Sequence, residues 1–476
     1  MPDTRPPQSR AAPELLARFA AIVGDKYAVT DPAAQAAYLV EMRGLYHGRT
    51  ALVLRPGTTG EVAAILKLAN ETRTPIVPQG GNTGLVGGQI PLAGEIVLSL
   101  TRLDRIREVD PVSNTMTCEA GVVLANAQAA AVGAERLFPL SLAAEGSCTI
   151  GGNLSTNAGG TAVLAYGNAR ELVLGLEVVL ADGRIWNGLT KLKKDNTGYD
   201  LKQLFVGAEG TLGVITAAVL KLFPRPQAVE TAFVGLPSPR AALALLNLAE
   251  ERAGGALTSF ELMPRIAIEF TLRHGAGTRD PLGKPHPWYV LIELSSAARD
   301  GLRTNLEELL AVAAERGLVT DAAVAASIEQ AQAFWHLRNL ISETQRHEGG
   351  SIKHDVSVPI AAVPEFIAAA SAAVEALIPG CRPVPFGHLG DGNVHFNVSQ
   401  PLGADKAEFL AQWGAVSARV HEIVGNFHGS ISAEHGIGRL KRDVLPHVKD
   451  AVALDLMRAL KRTLDPNGIL NPGKLL

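Results

Sequence analysis

His388 and His395 flank the run Leu389-Gly390-Asp391-Gly392-Asn393-Val394, and Glu434-His435 follows in Ser432-Ala433-Glu434-His435-Gly436-Ile437-Gly438. Apolar residues on both sides of Gly-Asp-Gly predict a hairpin, with the two imidazoles at the feet of its turn. Directly opposed residues on paired strands lie about 4.5–5.5 Å apart, close enough to share one metal ion. Asn397 falls on the same face as His395, two residues on. Two imidazoles and a carboxylate are a common divalent-metal set with open coordination positions, so Glu434 is the candidate third ligand. Its neighbour His435 points the other way in extended chain and could face a substrate. The alternative for any one of these histidines is a hydrogen-bonded core or loop residue. A third cluster comes earlier: Arg338 and Ser342 share a helix face at i,i+4, and Lys353 lies on the polar side of the following strand. A planar guanidinium and a point-charge ammonium could hold a carboxylate, or could form a solvated polar face.

Phosphate chemistry is written elsewhere. Pro78-Gln79-Gly80-Gly81-Asn82-Thr83-Gly84-Leu85-Val86-Gly87-Gly88 places five glycines in nine residues, directly after the apolar strand Pro75-Ile76-Val77. Residues without Cβ let a backbone turn sharply, and successive exposed N–H groups make an anion-binding concavity. Neither the Walker pattern nor the Rossmann spacing is present. A surface glycine turn is the competing reading. Two more small-residue tracts follow, 146–160 and 207–216.

These groups need elements to position them. Residues 13–24 read as an amphipathic helix, 51–54 as a strand, and Thr58 with Glu61 as a capping box opening a helix to about Thr72. Strands are expected at 95–100, 107–109, 115–119, 172–180 and 217–222, with a helix at 122–132. Pro224-Arg225-Pro226 marks a domain boundary. Beyond it, strands at 231–235, 259–263 and 288–294 alternate with helices at 239–253 and 302–316, as in an α+β domain on an antiparallel sheet. A helix is expected from Ile328 to His347, and His354 falls on an apolar strand face where packing is its expected role.

The 476 residues suffice for two or three domains, and 47% hydrophobic with 19% charged residues is ordinary for globular chains. A net charge of −3 offers no electrostatic reason to expect nucleic acid. Cys118, Cys148 and Cys381 are too far apart for a zinc ribbon or disulfide scaffold. The polar, proline-rich start lacks the apolar core of a secretory signal. Arg5 and Arg10 faintly suggest a transit peptide, against which Asp3 and Glu14 count. Apolar runs are short or broken by charge, so no integral membrane segment and a cytoplasmic location are expected.

The glycine tracts, the His388–Asn397 hairpin and Glu434-His435, in this order, resemble flavoproteins of the vanillyl-alcohol-oxidase (PCMH) type with an FAD-linked oxidase C-terminal domain. D-lactate and D-2-hydroxyglutarate dehydrogenases belong to this group. The resemblance spans residue 45 to Leu476. It implies an α+β protein with an N-terminal helical segment (1–45), a two-lobed FAD-binding domain (46–225), and a substrate and metal domain (226–476) on a ferredoxin-like antiparallel sheet. FAD would lie against Pro78, Gly80, Gly81, Asn82, Thr83 and Gly84 at the pyrophosphate. Gly146, Ser147, Thr149, Gly152, Asn157 and Ala158 would line flavin and ribityl, and Val214 and Ile215 the adenine half. Some relatives bond the flavin to a histidine in the first loop; here Asn82 and Thr83 stand there, so non-covalent FAD is expected. His388, His395 and Glu434 would bind the metal, for which zinc is suited and manganese, iron or cobalt are alternatives. Arg338, Ser342, Lys353, Asn397 and His435 would bind substrate, with His435 as base; Ser342 stands where threonine is common. The expected reaction is D-2-hydroxyglutarate oxidation. D-lactate or glycolate oxidation on the same scaffold, and a non-catalytic flavin subunit, are the rivals. An electron-transfer flavoprotein or a quinone would take the electrons, and a homodimer is compatible with the set.

Overall fold

The computed structural model describes residues 12–476, so the polar start with Arg5 and Arg10 lies outside the described residues. The chain forms two compact units that interleave in sequence. One comprises residues up to Gly159, Asn168–Pro224 and Glu434–Leu476; the other comprises Gly160–Gly167 and Arg225–Ala433. A linear division at 45 and 225 therefore misses an exchange. The last segment, expected to belong with 226–433, joins the first unit, where Ile76 donates to Ile469 O (2.8 Å) and Asn471 donates back to Ile76 O (2.8 Å).

The first unit has two main sheets, beside a two-stranded pair of Arg136–Leu137 with Phe223–Pro224. In the smaller, Val53–Leu54, Ile96–Ser99 and Ile76–Gln79 run parallel, with Ala28–Val29 at the edge. The helix Thr59–Thr72 makes the crossover. Thr58 caps it by accepting from Glu61 N–H, whereas the Glu61 carboxylate accepts from Gly57 rather than Thr58 (2.7 Å). The second sheet is antiparallel and five-stranded, with Val173–Val179 and Val214–Lys221 buried along nearly their whole length. Such continuous apolar runs are covered on both faces. The expected hairpin appears as Ile106–Asp110 with Thr115–Glu119.

The second unit is built on an eight-stranded antiparallel sheet whose centre is Ala228–Leu236, Trp288–Ser296, Leu257–Pro264, Arg382–His388 and Asn393–Ser399. Phe233, Phe260, Tyr289, Phe386 and Phe396 are fully buried or nearly so around it. The helix expected over 328–347 is divided. Ile328–Asn339 ends at Leu340, and the chain continues as the short turns Ile341–Thr344 and Gln345–Glu348. The strand expected to carry Lys353 and His354 is interrupted at those two residues, between Ser351–Ile352 and Asp355–Ser357. One stretch among the described residues, Ile360–Leu377, is long and apolar enough to cross a membrane, which the sequence reading did not pick out. A third of it is buried, and it packs on Arg382–His388 and Trp413–Asn426.

Candidate active site

In the first unit the three glycine tracts pack on one another at backbone contact. A Cβ at Gly81 would overlap the Ser147 carbonyl, and one at Gly80 would overlap the Thr149 hydroxyl. A Cβ at Gly210 would stand 2.5 Å from Pro78 Cγ. Only residues without side chains permit this approach, and it turns the sparse sequence signal into one cradle. Thr149 caps the helix Ile150–Thr156, and Asn157 ends it in the left-handed conformation (φ 51°). The side chains of Asn82 and Asn157 serve the fold. Asn82 Nδ2 donates to Ala37 O and Val40 O (both 2.9 Å), and Asn157 Oδ1 accepts from Arg170 N–H (3.0 Å). A ligand would therefore meet mainly backbone there, as a phosphate-binding concavity requires. Gly146 and Ser147 are exposed, Thr83, Gly84, Gly152 and Ala158 half-buried, and Val214 and Ile215 fully inside their strand. The strand begins three residues earlier than expected. Gly159 closes the second tract, and a Cβ there would stand 2.6 Å from Glu434 Oε1. The Glu434 carboxylate thus lies at the end of the tract expected to line flavin, and His435 follows, half-buried.

In the second unit, His388 and His395 come together with ring centroids 5.4 Å apart at 78°. They are not directly opposed, since His395 pairs across with Phe386. His388 instead stands opposite Glu261 on the neighbouring strand, and its Nδ1 is 2.7 Å from Glu261 Oε1. A ligand role for His388 would then fall to Nε2. His395 Nδ1 is 3.9 Å from the buried Asp355 carboxylate, which also accepts from Asn393 Nδ2 (3.0 Å). An imidazole oriented by a carboxylate is the usual companion arrangement of metal-binding histidines. On this ground the residues fit a divalent ion.

Arg338 already has one carboxylate partner. Its Nε donates to Glu261 Oε2 (2.9 Å), and its Nη2 lies 2.7 Å from the same oxygen but is buried without an aligned acceptor. Burial works to raise the Glu261 carboxyl, but the charges of Arg338 and His388 outweigh it and hold it at about 2. Lys353 Nζ donates to Ser342 O (2.9 Å), so these two meet, with Ser342 exposed past the helix break. Asn397 donates to Gln345 Oε1 (2.9 Å), and the buried Gln345 Nε2 has no acceptor among the described residues. His354 packs as expected, bonded to Phe396 O (2.8 Å) and Ser417 Oγ (3.1 Å). Glu261, Asp355 and Gln345 were missed in the sequence. The only hint was an acidic or amide residue inside otherwise apolar strands or turns. Burial pushes the thiols of Cys118 and Cys381 up to about 12 and 11.

Fold and cradle define a two-lobed dinucleotide-binding α+β protein with an appended antiparallel domain. Residues 50–188 match the profile of an FAD binding domain, and residues 225–475 that of the FAD linked oxidases, C-terminal domain. The chain is 39% identical to D-2-hydroxyglutarate dehydrogenase, mitochondrial, of Danio rerio (100% of this chain, 88% of the relative). It is 41% identical to the Bos taurus protein of the same name (94% and 81%). It is 37% identical to the D-2-hydroxyglutarate–pyruvate transhydrogenase of Saccharomyces cerevisiae (90% and 87%). Its fold matches p-cresol methylhydroxylase with substrate bound (TM-score 0.78, 16% identity, 97% of this chain and 96% of that one). It also matches 4-ethylphenol oxidase from Gulosibacter chungangensis (TM-score 0.73, 17% identity, 99% and 98%). The chain belongs to the FAD-linked oxidase family, and it is an FAD-dependent oxidoreductase acting on a CH–OH group. One expectation is overturned. The Danio rerio and Bos taurus relatives are named mitochondrial, against the cytoplasmic location read from the sequence.

Proposed function

We propose that the chain oxidises a D-2-hydroxy acid to the 2-oxo acid, with D-2-hydroxyglutarate as substrate. The names of the relatives support the substrate class. The observation that carries the site is the close imidazole pair, with His388 oriented by Glu261 and Asp355 standing 3.9 Å from His395. His388, His395 and Glu434 would hold a divalent ion, with zinc suited to this donor set and manganese, iron or cobalt as alternatives. Such an ion would polarise the α-hydroxyl, and FAD held without a covalent bond in the cradle would accept the Cα hydride at N5. His435 accepts the hydroxyl proton, work suited to an imidazole near neutral pH. Lys353, Ser342 and the unaligned Nη2 of Arg338 hold the distal carboxylate, and Asn397, fixed by Gln345, orients the proximal end. An electron-transfer flavoprotein or a quinone takes the electrons onward.

D-lactate is the second reading, because Glu261 already balances the charge of Arg338 and weakens the case for a diacid. Anaerobic titration of the purified holoenzyme with D-2-hydroxyglutarate, D-lactate and glycolate in turn separates these. D-2-hydroxyglutarate should bleach the flavin at the lowest concentration. Preferential bleaching by D-lactate would replace it, and bleaching by none would sink the proposal. Exhaustive chelation should slow bleaching while leaving the flavin bound; unchanged speed would remove the metal from the account.

A further inference from the structure

We propose that Glu209 is a positioning residue for His435, holding the loop that carries it against the flavin cradle. The inference rests on His435 being the proton acceptor. Glu209 lies in the third glycine tract with a φ of 52°, flanked in sequence by Gly207 (78°) and Gly210 (68°), all three in the left-handed region. A side chain in this left-handed region is disfavoured, so the turn aims the carboxylate against a local preference. Its Oε1 accepts from Ile437 N–H (2.8 Å) and its Oε2 from Gly438 N–H (2.7 Å), two and three residues after His435. The loop is fitted to that carboxylate. A Cβ at Gly436 would stand 2.8 Å from Oε1, and one at Gly438 would stand 2.5 Å from Val86 Cγ2.

The other end of Glu209 is fixed to the cradle. Its N–H donates to Ser155 O (2.8 Å), within the second tract's helix. Its carbonyl accepts from Asn471 Nδ2 (2.8 Å), which also donates to Gly88 O of the first tract (3.0 Å). Glu209, together with Asn471, thus joins all three glycine tracts to the segment Glu434–Gly438. Burial pushes its carboxyl up, opposed by the two loop N–H groups and the charge of Lys441. A buried carboxylate is a costly way to tie down a loop unless the loop's placement matters. A misplacement of about 1 Å at a reacting group can cost about 10²-fold in rate.

The test compares Glu209→Gln, His435→Ala and the double variant of the full-length holoenzyme, with D-2-hydroxyglutarate as reductant under anaerobic conditions. Gln keeps the shape but presents an N–H to one of the two loop N–H groups. Glu209→Gln should retain the flavin spectrum and FAD content, and its limiting rate of flavin reduction should fall on the order of 10²-fold. The substrate concentration for half-maximal rate should change less than the rate, because the other proposed substrate contacts, Arg338, Ser342, Lys353 and Asn397, lie outside this loop. The double variant should be no slower than His435→Ala, since a group acting through another adds nothing once that other is gone. Wild-type speed in Glu209→Gln, or a double variant slowed by the product of the single effects, would overturn the inference. Should Glu209→Gln fail to fold, Gly436→Ala displaces the loop from the opposite side and must show the same loss of rate. His435→Ala at full speed would instead sink the proton-acceptor reading itself, an outcome distinct from a slow His435→Ala beside a fast Glu209→Gln.

Discussion

Replacing Gly81 with alanine puts the cradle to a quantitative test. The new Cβ would lie 2.9 Å from the Ser147 carbonyl carbon and 3.2 Å from Cys148 Cα, and nearer still to the Ser147 oxygen. All three are backbone atoms, so no rotamer change relieves the clash. Carbon atoms settle at about 3.5–4.0 Å, so the carbonyl-carbon contact alone parts the first and second tracts by roughly 0.6–1.1 Å, and the nearer oxygen demands more. Overpacking of this kind costs typically about 1–3 kcal/mol. Paid out of FAD affinity at 1.4 kcal/mol per decade, that is a roughly 5- to 150-fold rise in Kd. Gly80→Ala meets the Thr149 hydroxyl instead, a side-chain atom, with Thr149 Cβ at 3.6 Å. Thr149→Ala should therefore recover part of the FAD binding lost in Gly80→Ala, less the loss of its own cap, and leave Gly81→Ala unrepaired. Gly60→Ala is the control. It sits on the exposed first turn of Thr59–Thr72 with only Thr58 Oγ1 near, at 3.8 Å, and should be neutral or slightly stabilising. The assay is FAD titration of deflavinated protein, followed by flavin fluorescence quenching. Wild-type Kd and thermal midpoint in Gly81→Ala would refute the reasoning.

Glu261→Gln leaves Arg338 buried beside an uncharged amide, and breaking a buried ion pair from one side costs about 3–5 kcal/mol. The thermal midpoint should drop and bound metal should fall, as elemental analysis would show; an unchanged midpoint would mean the pair is dispensable. Glu348 gives the clearest pH signature. Burial tends to raise its carboxyl, but bonds from Arg382, His274 and Arg273 hold it at about 2, against an ordinary value near 4.5. A carboxyl depressed by folding stabilises fully above its unfolded value and loses that contribution as pH falls toward the folded one. The stability gap between wild type and Glu348→Gln should therefore be constant above about pH 4.5 and close between 4.5 and 2, checked by denaturation midpoints along the pH series. Gln345→Leu should lower flavin-reduction efficiency with D-2-hydroxyglutarate about tenfold by releasing Asn397, and leave FAD content unchanged; equal efficiency would remove Gln345 from the site.

The chain's local chemistry was legible without coordinates wherever a residue type has one dominant use. Glycines 80, 81 and 84, the Thr58 cap, the alternation in the late strands and the imidazole pair all speak through spacing of a few residues. The Glu261 strand spoke only of apolar burial, because the use of its one acid depends on a register with His388, 127 residues later. Glu209 was hidden in the same way. Its turn could be read from the flanking glycines, but its partners Ile437 and Gly438 arrive from the far end of the chain. Arg338 reads as a ligand cation in the sequence, which cannot show that Glu261 also faces it. Short-range pattern records what a residue can do. Which partner it meets is decided by strand register and by where the last segment returns, and those are set by burial over the whole fold rather than by neighbours in sequence.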